Sequence, residues 1–116
     1  YVGYDGLNRQ LWRNATTASQ SGAYVNDTYD EAGHGDGVGH LTTEAFTNGA
    51  GGSSVSLSGS HSYTYDARGQ VTGQTDAVTG VGTNFGFSMG YNDAGQPTSL
   101  TYSDGEVLGT GYNAQG

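Results

Sequence analysis

The chain has 116 residues, which is enough for a single domain. It has 22 glycines and nine tyrosines, but only 33% hydrophobic and 12% charged residues. A net charge of −8, with three arginines and no lysine, excludes the cationic surface that a nucleic acid or an anionic membrane requires. The absence of cysteine excludes disulfides and thiolate metal sites. Disordered chains carry more charge and fewer aromatic residues, so the composition favours an all-β fold with tight turns and a thin core.

The first predicted turn follows Tyr4, and its pattern recurs along the chain. Each copy has a Tyr, then Asp or Asn, and then Gly or Asn four residues after the Tyr; the five anchors are Tyr4, Tyr29, Tyr65, Tyr91 and Tyr112. Asp and Asn side chains accept hydrogen bonds from nearby backbone N–H groups, and Gly or Asn tolerates a left-handed backbone. We therefore predict five strand–turn–strand units, whose structural turn residues are Tyr4, Asp5, Asn8, Tyr29, Asp30, Gly33, Tyr65, Asp66, Gly69, Tyr91, Asn92, Gly95, Tyr112, Asn113 and Gly116.

Two loops lengthen the interval between the second and third anchors to 36 residues. Residues 33–39 are predicted to be an insertion, and residues 47–56 a Gly/Ser-rich hairpin loop. The first loop carries acidic side chains beside glycines, which suits Ca²⁺ at Asp30, Glu31 and Asp36. Zn²⁺ at His34, Asp36 and His40 is a second alternative. The spacing matches no established metal motif, so a solvated loop without a cofactor is favoured.

The later strands follow from strict alternation of side-chain type. Phe85, Phe87, Met89 and Tyr91 alternate with Gly and Ser, which is typical of a strand with one apolar face. Asp104-Gly105, between two β-type segments, predicts a further hairpin. No segment has the apolar periodicity of a helix, and no apolar run approaches the ~18 residues of a transmembrane helix.

The acidic and aromatic residues of the units allow a catalytic and a binding hypothesis. General acid–base catalysis needs two converging carboxyl groups, whereas acids at equivalent positions of a repeat lie a strand pair apart, so the acids are predicted to cap turns. No nucleophile motif is present, and we expect no catalytic residue and no enzyme activity. The aromatic residues are predicted to pack as a cross-strand ladder, with Trp12 and Tyr102 as the candidates for stacking on a ligand such as a glycan.

The recurring Y-x-Y-D-x-x-G pattern, clearest in "YTYDARG", resembles the tyrosine-aspartate (YD) repeat, also called the RHS repeat. "YVGYDGLNRQLW" is similar to the family's "YDALNR" form. The resemblance covers nearly the whole chain and implies an antiparallel β-strip that spirals into a shell. Such shells enclose the toxic domains of bacterial toxin-delivery proteins and also occur in teneurin-type adhesion receptors. Asn replaces Asp in the last two units, and Pro97 occupies a position where a β-branched residue or Leu is usual.

These features predict a non-enzymatic structural segment, residues 1–116, of a larger secreted or cell-surface protein. Its expected partners are the rest of the parent chain and other copies of itself, which would form an oligomer or filament through sheet edges. No partner nucleic acid and no membrane insertion are expected. The alternative is an extracellular adhesin or carbohydrate-binding module that uses exposed aromatic residues with Ca²⁺.

Overall fold

The computed structural model describes residues 1–14, 24–47 and 57–115. The prediction of an all-β fold is confirmed, because the described residues form nine strands and no helix. Among them there is accordingly no helix capable of crossing a membrane. The strands are β1 (Val2–Tyr4), β2 (Gln10–Arg13), β3 (Val25–Tyr29), β4 (Leu41–Thr47), β5 (Ser58–Tyr65), β6 (Val71–Val78), β7 (Phe85–Tyr91), β8 (Pro97–Tyr102) and β9 (Val107–Gly109).

The nine strands lie in one open sheet in chain order, and each is antiparallel to the next. The elongated molecule measures 55 × 36 × 25 Å. Tyrosines end β1, β3, β5 and β7, and a turn at Asp104 and Gly105 joins β8 to β9. Thr47 is the last residue of β4, whereas residues 48–56 of the predicted Gly/Ser-rich loop and Gly116 of the last unit lie outside the described residues.

The two faces of the sheet differ in side-chain size. Cross-strand partners share a face, so the register places large or charged side chains on one face, in the rows Val25–Phe46–Gly59–Val78, Asp27–Glu44–His61–Asp76–Phe85, Tyr63–Gln74–Phe87–Tyr102 and Met89–Leu100–Leu108. The other face carries mainly small residues, in the rows Asn26–Ala45–Ser60–Ala77, Thr28–Thr43–Ser62–Thr75–Gly86 and Gly90–Ser99–Gly109.

The core is as thin as the composition indicates, because one sheet has no second layer to cover it. Even the largest fully buried side chain among the described residues is only a threonine, Thr42, and the other buried polar residues are Asn14 and Asp27. Stability in such an array comes from contacts between neighbouring strand pairs rather than from a central core. The contacts that join one pair to the next are therefore the features that most directly determine stability.

The register shifts at each of the four anchor tyrosines that end a strand. These irregularities lie between Gly3 and Tyr4, Thr28 and Tyr29, Thr64 and Tyr65, and Gly90 and Tyr91. A bulge bends a strand and increases its local twist. The bulges therefore re-aim the tyrosine side chains at the end of the sheet where the turns lie.

Candidate functional site

The turns after the anchor tyrosines are built by side-chain acceptors. Within the described residues, the side-chain oxygen of the second residue accepts a hydrogen bond of 2.8–3.0 Å from the N–H two residues later at Asp5, Asp66, Asn92 and Asn113. The same oxygen accepts the N–H four residues later at Asp5, Asp66 and Asn92. Positive φ angles of 62°, 76° and 77° at Asn8, Gly69 and Gly95 then reverse the chain. Asp and Asn serve equally here, so this role does not need a charge.

Asp30 makes a different set of contacts from the other turn acids. Its own φ is 62°, and its carboxylate accepts the N–H of Gly39, nine residues later, at the far end of the insertion. Its second oxygen pairs with the Arg9 guanidinium at 3.0 Å. The hydrogen bond from Arg9, followed by that from Gly39, lowers the pKa of Asp30. Because of the insertion, the N–H that the Asp30 carboxylate caps lies further along the chain than in the other turns. The carboxylate still closes the loop.

Substitutions of Asp66 by Ala and by Asn test whether its side chain acts as a hydrogen-bond acceptor that caps the turn. Asp66→Ala is expected to cost roughly 1–3 kcal/mol of unfolding free energy, because two backbone N–H groups lose their acceptor. Asp66→Asn is expected to stay within about 0.5 kcal/mol of the wild type, since Asn92 holds its turn in the same way. Urea unfolding measures both. A large loss in Asp66→Asn would show that the charge matters and would contradict the capping role.

The last three anchor tyrosines join their strand pairs to the preceding ones through their hydroxyl groups. Tyr65, Tyr91 and Tyr112 donate hydrogen bonds of 2.6–2.7 Å to the carbonyls of Leu41, Val71 and Pro97, the first residues of β4, β6 and β8. These bonds were not predicted. Their signal in the sequence is positional: each acceptor is the second residue after the glycine that ends the preceding turn.

The ring contacts of the described residues involve histidines rather than successive anchor tyrosines. His40 stacks on Tyr65 with ring centroids 4.5 Å apart, and Phe46 lies 5.3 Å from His61. At Tyr29 the guanidinium of Arg9 lies 4.3 Å from the ring centroid. The tyrosines therefore anchor the sheet mainly through their hydroxyl groups and through neighbours of other types.

Polar side chains also connect adjacent turns directly. Arg68 donates to the carbonyl of Asp93 at 2.7 Å, and Gln70 donates to the carbonyl of Gly95 at 3.0 Å. Arg9 bridges the first two turns, since it pairs with Asp5 at 2.7 Å as well as with Asp30. The first turn is thus tied to the second and the third to the fourth, and the sequence indicated none of these links.

The inserted loop returns to the sheet and forms an extra bridge to Tyr65. The Tyr65 N–H donates to the carbonyl of His34 at 3.1 Å, and the Asp36 N–H donates to the carbonyl of Tyr65 at 3.0 Å. Gly35 lies between them in an isolated parallel bridge. Nδ1 of His34 lies 2.6 Å from the carbonyl of Tyr63, so this nitrogen carries the proton. The loop thereby connects the second unit to the third.

The candidate metal ligands of this loop do not converge. Asp30 is engaged by Arg9 and Gly39, and Glu31 accepts hydrogen bonds from the hydroxyls of Thr42 and Thr43 at 2.7 and 2.6 Å. The bonds from Thr43 and then Thr42 lower the pKa of Glu31. The exposed Asp36 contributes its backbone to the bridge. In the part of the chain that the structure describes, no three His, Asp or Glu side chains form a group suited to a metal.

The two candidate ligand-binding aromatic residues lie on opposite faces. Trp12 shares the small-residue face with Gly3, and its indole covers that glycine so closely that a Cβ there would lie 2.1 Å from Nε1. Tyr102 lies on the face of large side chains and is 38% exposed. These residues therefore cannot form one binding site, and Trp12 has a packing role.

No protein-family model matches the chain, and there is no significant match among curated proteins or among solved structures. A functional proposal for this chain accordingly rests on its own geometry.

Proposed function

We propose that the chain is a non-enzymatic structural segment of a secreted or cell-surface YD/RHS-repeat protein, whose sheet encloses or presents another domain. The observation that carries this proposal is the tyrosine bond between strand pairs, which recurs at Tyr65, Tyr91 and Tyr112. A bond that joins each unit to the one before it suits an array that can be lengthened, because every new unit brings its own anchor.

The two outer strands support the same proposal. Tyr4, which ends β1, is 58% exposed, and its hydroxyl makes no hydrogen bond within the described residues, unlike those of Tyr65 and Tyr91. Val107 and Leu108 of β9 are exposed at the opposite edge. Open edges of this kind pair with further strands. We therefore propose that further units of the parent chain, or other copies of this chain, extend the sheet at these edges.

Edge pairing predicts that the chain associates as its concentration rises. Sedimentation at about 150 mM salt, at which charge repulsion is screened, would measure this association. Lysine at an edge strand blocks such pairing. Val2→Lys on β1 and Leu108→Lys on β9 are therefore expected to reduce association. Val81→Lys is the matched control, since Val81 is similarly exposed but lies between β6 and β7. A chain that stays monomeric at its highest soluble concentration, or an equal effect of Val81→Lys, would contradict the proposal.

An adhesion or carbohydrate-binding function is the second candidate. Phe85, Tyr102 and Leu108 line an open depression of about 410 Å³ near the β9 edge, and Phe85 is 55% exposed. Exposed rings beside Asp104 and Glu106 suit the stacking and hydrogen bonding of a sugar. If a glycan or Ca²⁺ raises the melting temperature, and the rise is lost in Tyr102→Ala, this function is favoured. The structural function expects no shift with either.

A further inference from the structure

The face of large side chains carries a row of ionisable groups across four adjacent strands. Asp27, Glu44, His61 and Asp76 are successive cross-strand partners on β3, β4, β5 and β6. Directly opposed side chains have Cβ atoms about 5 Å apart. Asp27 and Glu44 are therefore direct neighbours, and His61 separates Glu44 from Asp76. The row lies between one that contains Phe46 and one that contains Tyr63 and Phe87.

The charges of this row are compensated at one end only. At the β6 end, Asp76 accepts hydrogen bonds from Nδ1 of His61 at 2.6 Å and from Gln74 at 2.8 Å. These bonds, that from His61 first, lower the pKa of Asp76. At the β3 end, no histidine or arginine among the described residues bonds to the two opposed carboxylates.

Asp27 and Glu44 face each other at that end without a cation. Asp27 is 8% exposed, and its Oδ2 accepts a hydrogen bond from the Gln10 amide at 2.7 Å. Its Oδ1 is buried and has no hydrogen-bond partner in the part of the chain that the structure describes. The Glu44 carboxylate has no hydrogen bond or ion pair to any described residue, and Arg13, which the register places on the same face, pairs with neither carboxylate. Opposed like charges destabilise a sheet, and a buried charge is costly unless it is paired.

The chain already shows which group such an arrangement holds. The guanidinium of Arg9 lies between the carboxylates of Asp5 and Asp30, at 2.7 and 3.0 Å, and over the ring of Tyr29 at 4.3 Å. Two carboxylates and a tyrosine ring thus hold an arginine between the first two turns. Arginine suits such sites because its planar fork binds carboxylates and stacks on aromatic rings.

A similar combination of two carboxylates and a tyrosine occurs at Glu44. Tyr63 is half-buried, and burial, followed by the negative charges of Glu44, Asp76 and Asp27, raises its pKa. Tyr63 and the two opposed carboxylates thus correspond to Tyr29 and to the two carboxylates that hold Arg9. No arginine occupies the equivalent position among the described residues.

We propose that Glu44, supported by the uncompensated charge of Asp27 and bordered by the ring of Tyr63, binds the guanidinium group of an arginine side chain from a partner polypeptide. Glu44 makes the contact, and the covered Asp27 acts through its charge. A divalent metal fits less well, since no three metal-ligating side chains converge within the described residues. The net charge of −8 favours the approach of a cationic partner.

Titration of the ¹⁵N-labelled protein with N-acetyl-arginine amide tests the proposal. We expect saturable shifts of the Glu44, His61 and Tyr63 amides, and no shifts with the isosteric, uncharged N-acetyl-citrulline amide. Glu44→Gln should weaken binding at least fivefold, and Glu106→Gln, on the hairpin between β8 and β9, should leave it unchanged.

Asp27→Asn separates binding from folding. It removes the buried charge but keeps an acceptor for Gln10, so the melting temperature should rise while arginine affinity falls. Equal binding of the citrulline amide, unchanged affinity in Glu44→Gln, or saturation of the same amides by Ca²⁺ but not by the arginine amide would overturn the proposal. The last outcome would assign the row to a divalent cation. None of these results depends on whether the sheet associates through its edges.

Discussion

Replacing Gly35 with alanine is expected to lower the free energy of unfolding by roughly 3 kcal/mol, because a left-handed backbone is strained and two backbone hydrogen bonds are lost. Gly35 has a φ of 64°, and a Cβ there would lie 2.3 Å from the carbonyl oxygen of Tyr65. That carbonyl belongs to a strand and cannot yield as a flexible side chain would. The loop must therefore leave the sheet, and the bonds of His34 and Asp36 to Tyr65 break with it.

Gly33→Ala is the matched control in the same loop. Gly33 has a φ of 91°, which is no easier for alanine, but a Cβ there would meet nothing within 4 Å. The difference between the unfolding free energies of the two variants, measured in urea, therefore gives the contribution of the bridge to Tyr65. If both lose the same stability, backbone strain alone explains the effect and the bridge contributes nothing.

The double variant Tyr65→Phe/Tyr91→Phe is expected to lose roughly 2–4 kcal/mol of unfolding free energy. Each substitution removes the hydroxyl that donates a hydrogen bond to a backbone carbonyl of the preceding strand pair. The two sites belong to different units and share no acceptor, so their effects should add. Both rings remain, which retains the stacking of His40 on residue 65. Thermal and urea unfolding measure the loss.

Tyr4→Phe/Tyr102→Phe is the corresponding control. Both side chains are exposed, and neither hydroxyl makes a hydrogen bond to a described residue. We expect a change of less than about 0.5 kcal/mol, as for other exposed substitutions. A loss equal to that of the first double variant would mean that the hydroxyl bonds between strand pairs are not what distinguishes the inner tyrosines.

The turns were predictable because their chemistry is local. Asp66 and Gly69 act within five residues of each other, and their types alone indicate a capped, left-handed turn. The same locality explains why Asp30 behaves differently, since the insertion separates it from the N–H that it caps. The all-β class could also be predicted, because residue composition and the alternation of side-chain types along a strand can be read directly from the sequence.

The contacts between units could not be derived in this way, because they depend on register. A shift of one residue moves a strand's side chains to the other face, and bulges at the tyrosines make that register hard to count. The alignment of Asp27 with Glu44 and the separation of Trp12 from Tyr102 both follow from it. Likewise, the carbonyls that receive the tyrosine hydroxyls lie 15–24 residues away in sequence.

The most direct test of the account is native-state hydrogen exchange in Tyr91→Phe, read strand by strand against the wild type. If neighbouring strand pairs hold each other in place through the tyrosine hydroxyls, protection should fall most on β6, β7 and β8, which surround the lost bond to Val71. It should fall progressively less toward β4 and β3. A uniform loss across all strands, or no loss near β6, would contradict a sheet whose stability is passed from each unit to the next.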